Sequence, residues 1–274
     1  MPRIVDAHLH LSGRKDDALQ RFARMNGLAY SLRGLLGDMD KNGVESGLLL
    51  SPPMKSGAPL SNEEVLSLCR RSKGRLHPVI TVEPTVNEVR AAIRFAERHR
   101  TETKAFKVRL GYTRAAATGR VFDPLYDFAE SAGMPVLFHT GDTAFDNGDL
   151  SLSHPLTLDA LANRRNELTI VLCHFGNPWF EEVAELIYKH PKVYTDMSGL
   201  TTGGGAYPEK FAKWLAQKIS DAIYFAGGPE KIMFGTDYPV TAYPDALDLV
   251  KRLDIEEGDK EMILWRNAKL VFGL

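Results

Sequence analysis

Eight short apolar runs rich in β-branched residues recur along this chain of 274 residues, and stretches of helical spacing separate them from end to end. The runs are Ile4–Leu11, Ser46–Leu50, Leu76–Val82, Lys104–Leu110, Pro135–His139, Leu168–Cys173, Lys192–Asp196 and Lys231–Gly235. Helical periodicity marks Asn62–Arg71, Val86–His99, Asp123–Ala132, Leu156–Ala162, Trp179–Lys189, Pro208–Ala226 and Pro244–Leu253, and Asp259–Phe272 closes the chain. Strands that alternate with helices pair in parallel, and eight such units without a compositional break predict one α/β domain over residues 1–274, a (β/α)8 TIM barrel. A doubly wound open sheet is the competing arrangement. Brief helix-to-strand loops carry Gly43, Gly74, Gly133 and Gly228, whereas the strand-to-helix segments Ser51–Leu60, Gly111–Val121, Thr140–Pro155 and Met197–Tyr207 are long. In a parallel barrel these long loops all emerge at the C-terminal face, so the active site is expected there. Ser12–Tyr30, which mixes Arg14, Lys15, Asp16, Asp17 and Arg21 with Phe22 and Met25, reads as a partly helical lid on that face.

The first run contains Asp6-Ala-His8-Leu-His10. The period of two in a strand puts these three groups on one face, where the imidazoles can close on one cation. Ligand-type groups recur where other strands end: Lys107 and Arg109 on the fourth, His139 on the fifth, His174 on the sixth and Asp237 after the eighth. Desolvating all of them is costly unless something is bound. His8, His10, His139 and Asp237 can supply protein ligands to zinc, leaving one position for water. His174 is then placed to orient that water or polarise a carbonyl, and Asp237 to carry a proton to the leaving group. Lys107 and Arg109 share a strand face and would suit a carboxylate-bearing substrate. Equally, Arg109 pairs with a neighbouring acid such as Glu83. Asp196 faces the pocket or makes a salt bridge, Trp179, Tyr207 and Tyr238 wall the pocket or simply pack, Cys173 reads as core, and Thr201–Gly205 reads as a mobile turn.

Composition narrows the setting. Net charge is −1 with Lys and Arg scattered, so the chain carries no footprint for a nucleic-acid backbone or an anionic membrane. Two cysteines without a C-x-x-C pair suggest a reduced compartment, and neither an apolar leader nor a bilayer-length apolar run is seen. A cytoplasmic enzyme with a small-molecule substrate is therefore expected.

Asp6-x-His8-x-His10, the strand-four lysine, His139-Thr-Gly, His174-x-Gly, Gly235-Thr-Asp237-Tyr-Pro and the closing Asn267-Ala-x-x-Val-Phe-Gly resemble the amidohydrolase superfamily. They resemble most its branch of metal-dependent decarboxylases and lactonases, in order from residue 4 to the C-terminus. That resemblance implies a divalent metal, usually zinc, with His8, His10, His139 and Asp237 as ligands and His174 as a catalytic residue. One metal is the expectation. In two-metal members of the superfamily a carboxylated lysine, here Lys107, bridges the ions and the strand-six histidine, here His174, joins the ligands. His154 resembles a family position that touches substrate, although it equally caps the helix that follows, and Asn267 resembles a structural position. Barrels of this branch often pair, so a homodimer is compatible with the resemblance. The expected activity is hydrolysis of an ester, lactone or amide of a small carboxylated molecule. The alternative is non-oxidative decarboxylation of an aromatic or unsaturated acid. A binding protein without turnover, or a Schiff-base lysine at Lys107, explains fewer of these residues.

Overall fold

The computed structural model describes residues 3–12, 19–52, 60–144, 148–201 and 208–274. Eight strands, β1 (Ile4–His10), β2 (Val44–Leu50), β3 (Leu76–Val82), β4 (Ala105–Val108), β5 (Val136–Phe138), β6 (Ile170–Leu172), β7 (Val193–Asp196) and β8 (Ile232–Met233), lie side by side in sequence order. Each pairs in parallel with the next. The sheet closes where β1 meets the segment after β8: Ala7 N–H donates to Phe234 O (2.9 Å), Asp237 N–H to His8 O (2.7 Å) and His10 N–H to Tyr238 O (2.8 Å). The chain is thus a (β/α)8 barrel, and its closure seam runs through three of the expected site residues.

Two apolar layers hold the barrel. Inside it, Val5, Ala7, Leu48, Leu50, Val79, Ala105, Leu137, Val171, Cys173 and Met233 form a small cluster drawn from seven strands. Outside it, a larger cluster fills the space between sheet and helices. The helix Val86–Arg98 shows how the sequence builds that outer layer: Thr85 caps it by accepting from Glu88 N–H, and Val89, Ala92, Phe95 and Ala96 form its buried stripe. Asn62–Arg71 starts on a full capping box between Ser61 and Glu64. Asn267 Nδ2 donates to the carbonyls of Pro229 (2.7 Å) and Ile232 (2.8 Å), tying the last helix to β8.

The sequence reading missed the helix Leu32–Asn42, capped by Ser31 and ended by Gly43 at φ 71°, and the short helix Leu150–Ser153 within the expected loop Thr140–Pro155. The buried stripe of Leu32–Asn42 is only Leu35 and Met39, and Gly34 and Gly37 lower its helix propensity, so the apolar period is faint. Within the expected lid, Leu19–Met25 is helical, while Arg14 to Asp17 lie outside the described residues. No helix among the described residues is long and apolar enough to cross a membrane.

Candidate metal centre

Strand β1 does not keep a strict period of two. Asp6 pairs with Gly47 but Leu9 with Leu49, so three steps on β1 oppose two on β2, a bulge between Asp6 and Leu9. Gly47 is what lets the bulge in, because a Cβ there would stand 2.6 Å from Leu9 Cδ2. The expectation that Asp6 shares a face with His8 and His10 is therefore corrected. Asp6 accepts from His8 N–H (3.0 Å), Thr236 N–H (3.1 Å) and Thr236 Oγ1 (2.6 Å), stapling β1 to the loop after β8. Burial pushes its carboxyl up to about 7 against those three hydrogen bonds.

The imidazoles are each oriented by an acceptor, and that fixes where their lone pairs point. His8 Nδ1 faces Asp196 Oδ2 (3.2 Å), His10 Nδ1 faces Leu50 O (3.0 Å), and His139 Nε2 faces Asp142 O (2.9 Å). His174 Nδ1 faces Ser198 Oγ (2.9 Å) and Ser198 O (3.2 Å), while the Ser198 hydroxyl gives its own proton to Asp196 Oδ1. A carbonyl or carboxylate cannot donate, so the ring proton sits on these outward nitrogens and the opposite nitrogens carry bare lone pairs. Those lone pairs face other acceptors. His8 Nε2 is 3.6 Å and His10 Nε2 3.0 Å from Asp237 Oδ1, and His174 Nε2 is 3.1 Å from His139 Nδ1.

Three of these rings, His8, His139 and His174, are kept from taking up a second proton near neutral pH. Burial, followed by the charge of Lys107, lowers His139 to about 3. Burial first, then neighbouring cationic groups, holds His8 and His174 well below the usual imidazole range. Asp237 Oδ1 is buried without a hydrogen-bond donor. Acceptors turned on one another at this separation repel unless a cation lies among them. The spacing suits one, since ligands at about 2.0–2.1 Å around tetrahedral zinc stand about 3.3–3.4 Å apart. The donor set therefore fits a divalent metal. His8, His10 and Asp237 form one group whose donor atoms all lie within 4.8 Å of one another, and His8, His174 and Asp196 form a second. His139, expected among the ligands, belongs to neither group; its Nδ1 lies 3.1 Å from His174 Nε2.

Two of these residues sit in left-handed backbone, His174 at φ 63° and Asp237 at φ 57°, each just past a strand end. Such conformations cost about 1–3 kcal/mol and are kept where the surroundings over-determine them. Gly199, at φ 69°, lines the gap between them: a Cβ there would meet Asp237 Oδ2 at 3.2 Å and His174 Nδ1 at 3.3 Å.

Lys107 is buried with its Nζ 2.8 Å from Cys173 Sγ, so Cys173 is both part of the inner core and the lysine's partner. Arg109 is buried against Glu83 (3.4 Å) and donates to the carbonyls of Ser51 (3.2 Å) and Pro52 (3.0 Å). His154 Nδ1 accepts from Leu156 N–H at the start of the turn Pro155–Leu158, and its ring packs on Trp179 with centroids 4.6 Å apart. Tyr238 is fully buried beside Tyr243. Tyr207 and Thr202 to Gly205 lie outside the described residues.

Sequence reasoning passed over Ser198, which stands two residues after Asp196 as His8 stands two after Asp6. It also passed over Tyr112, whose ring lies 4.6 Å from His139. Ser198→Ala should lower activity about 10- to 100-fold, as loss of a hydrogen bond behind a site imidazole does. Steady-state kinetics check this, and Ser198→Thr, which keeps the hydroxyl, should recover most of the loss.

The amidohydrolase family model matches residues 5–274. No curated protein matches the chain. Among solved structures, an uncharacterized TIM-barrel protein from Bordetella bronchiseptica superposes with a TM-score of 0.77 at 22% identity, over 99% of this chain and 98% of that one. A probable 2-pyrone-4,6-dicarboxylic acid hydrolase from Acinetobacter baumannii, with citric acid bound, gives 0.68 at 19% identity over the whole of both chains, 100% and 100%. A dihydroxybenzoic acid decarboxylase from Polaromonas sp. JS666, with bound manganese and the inhibitor 2-nitroresorcinol, gives 0.69 at 16% identity over 100% of this chain and 98% of that one. At these identities the structural likenesses establish the fold.

Proposed function

The chain belongs to the amidohydrolase family, and from that premise we propose that it is a metal-dependent hydrolase of a small, carboxylate-bearing ester, lactone or amide. The observation that carries this reading is the convergence of bare imidazole lone pairs on the donorless Asp237 Oδ1. His8, His10 and Asp237 would hold the ion with His139, and zinc is the ion we favour for this nitrogen and oxygen set. A divalent cation there supplies Lewis acidity and makes water a nucleophile near neutral pH.

The chain's own groups do the rest. His174, with its proton held at Nδ1 by Ser198, offers Nε2 as an acceptor that orients a water or takes its proton. Asp237 is 17% exposed at its side chain, enough to take a proton at a carboxylate oxygen and hand it to the departing alcohol or amine. Lys107 is held by a thiol and not by a carboxylate, so its charge is left for an anionic group of the substrate. We favour one metal over two, with Lys107 unmodified. Arg109, braced by Glu83 and two carbonyls, would shape the pocket wall and lend it positive charge.

One observation favours a second reading: a relative of the same fold is a manganese-bound decarboxylase of a hydroxylated benzoic acid. In that case the same residues would hold an ion able to take a carboxylate, while Asp237 or His174 would give a proton to the ring carbon as its bond to the departing carbon dioxide breaks. Incubation of the metal-loaded protein with pyrone carboxylates and hydroxybenzoates, scored by product mass, separates the two. Hydrolysis adds one water to the substrate. Loss of carbon dioxide without hydration would overturn our first reading and establish the second.

A further inference from the structure

His139 and His174 turn bare ring nitrogens on each other at 3.1 Å, and their ring centroids lie 4.9 Å apart. Two acceptors so placed push the rings apart unless a cation lies between them, so each ring needs a brace if the site is to stand ready for its ion. Ser198 braces His174. The brace on His139 comes from the loop that follows β4. Gly111, at φ 79°, turns the chain there and lets it settle against the loop after β5: its carbonyl accepts from Asp149 N–H (2.9 Å), and a Cβ on it would stand 2.9 Å from Ser153 Cβ. Arg109 O accepts from Thr113 N–H (3.2 Å), closing the turn. Tyr112 sits within that turn, half-buried, and the turn delivers its ring to His139.

We propose that Tyr112 is the positioning residue of His139 and acts on it twice. Its ring packs on the imidazole with centroids 4.6 Å apart and planes inclined at 50°, so His139 cannot swing that way without displacing the phenol. Its hydroxyl accepts from Ala144 N–H (2.9 Å), two residues past Asp142, whose carbonyl accepts from His139 Nε2–H (2.9 Å). The contacts make a closed circuit: ring on ring, hydroxyl on loop, loop carbonyl on ring nitrogen. The near half of that loop has anchors of its own, Gly141 N–H on Ser153 O (2.9 Å) and Asp142 N–H on Asn177 O (2.8 Å). These hold the chain before the Asp142 carbonyl, and Tyr112 holds it after. Without the circuit the imidazole is free to turn over, which would bring a carbon in place of Nδ1 before His174 and remove the lone pair that faces the ion. The inference rests on His139 as a metal ligand in the proposed function, and it adds the residue that keeps this ligand aimed.

Zinc affinity, read by competition with a chromophoric chelator, and the visible absorption of the cobalt-substituted protein test this on the full chain. His139→Ala sets the scale: it should weaken zinc binding more than either Tyr112 variant does and alter the cobalt bands. Tyr112→Leu, which loses ring and hydroxyl, should weaken zinc binding about 10- to 100-fold and alter the cobalt bands, with circular dichroism unchanged. Tyr112→Phe keeps the ring and should weaken binding about 3- to 10-fold, because Ala144 N–H then exchanges the phenol for water. In the His139→Ala background neither replacement should cost anything further, since a brace acts only through the ring it holds. Wild-type zinc affinity in Tyr112→Leu overturns the proposal, and so does a full additional loss in the His139→Ala background, the mark of a general role in the loop. If Tyr112→Leu fails to fold, Tyr112→Phe decides, and wild-type affinity there is the overturning result. Should His139→Ala itself leave zinc affinity and the cobalt bands unchanged, His139 is no ligand, which overturns that part of the proposed function and the role of Tyr112 with it.

Discussion

Replacing His10 with alanine should strip the bound metal and lower kcat/KM by about a thousandfold or more, beyond the 10- to 100-fold expected when only a supporting hydrogen bond is lost. His10 is locked by Leu50 O on one nitrogen and turned on Asp237 Oδ1 at 3.0 Å by the other, so no neighbour can take its place. His174→Ala is the informative contrast. It leaves the group of His8, His10 and Asp237 whole, and on the one-metal reading it keeps one equivalent of metal while activity falls about 10²- to 10⁴-fold, the range for loss of a general acid or base. Metal analysis of dialysed protein beside steady-state rates reads both outcomes. If His174→Ala loses metal as His10→Ala does, His174 is a ligand, and a second cation with a carboxylated Lys107 becomes the better account.

The barrel was legible because its signals are local: apolar runs of strand length, helical spacing between them, and glycines at the short turns. Helix Asn62–Arg71 was readable to the residue, since its capping box, acidic first turn and basic last turn all agree. Helix Leu32–Asn42 was not, because two glycines and a narrow buried stripe leave little period to detect. Within the site the ligand-type residues were visible as types at strand ends, but their division of labour was not. Asp6 and Asp196 are both acids of barrel strands, yet one staples the barrel seam and the other orients His8 and Ser198. That difference depends on a bulge in β1 and on contacts between residues nearly 200 positions apart, which no local spacing encodes. Arg109 was readable as a cation near the site, and only the assembled loops show that Glu83 and two carbonyls already hold it.

The bulge leads to a test of what aims the imidazoles. Asp6→Ala should destabilise the fold by about 3–5 kcal/mol, the cost of breaking a buried hydrogen-bonded charge network. The N–H groups of His8 and Thr236 would both lose their acceptor in a place that is 0% exposed at Asp6, and the seam between β1 and the β8 loop would lose its side-chain bond. Asp6→Asn is a much milder change. Its carbonyl oxygen can still accept from both N–H groups. Its amide can donate to Thr236 Oγ1, which already accepts from Tyr238 N–H and can turn its own hydrogen elsewhere. Asparagine also escapes the burial cost that raises the Asp6 carboxyl to about 7. We expect a loss of about 1 kcal/mol for it, with metal content unchanged. Urea unfolding curves give the stabilities and metal analysis the content. Should Asp6→Asn fold normally yet lose its metal, Asp6 would have to be counted among the ligands. Its place as the clamp that directs His8 and His10 inward would then be lost.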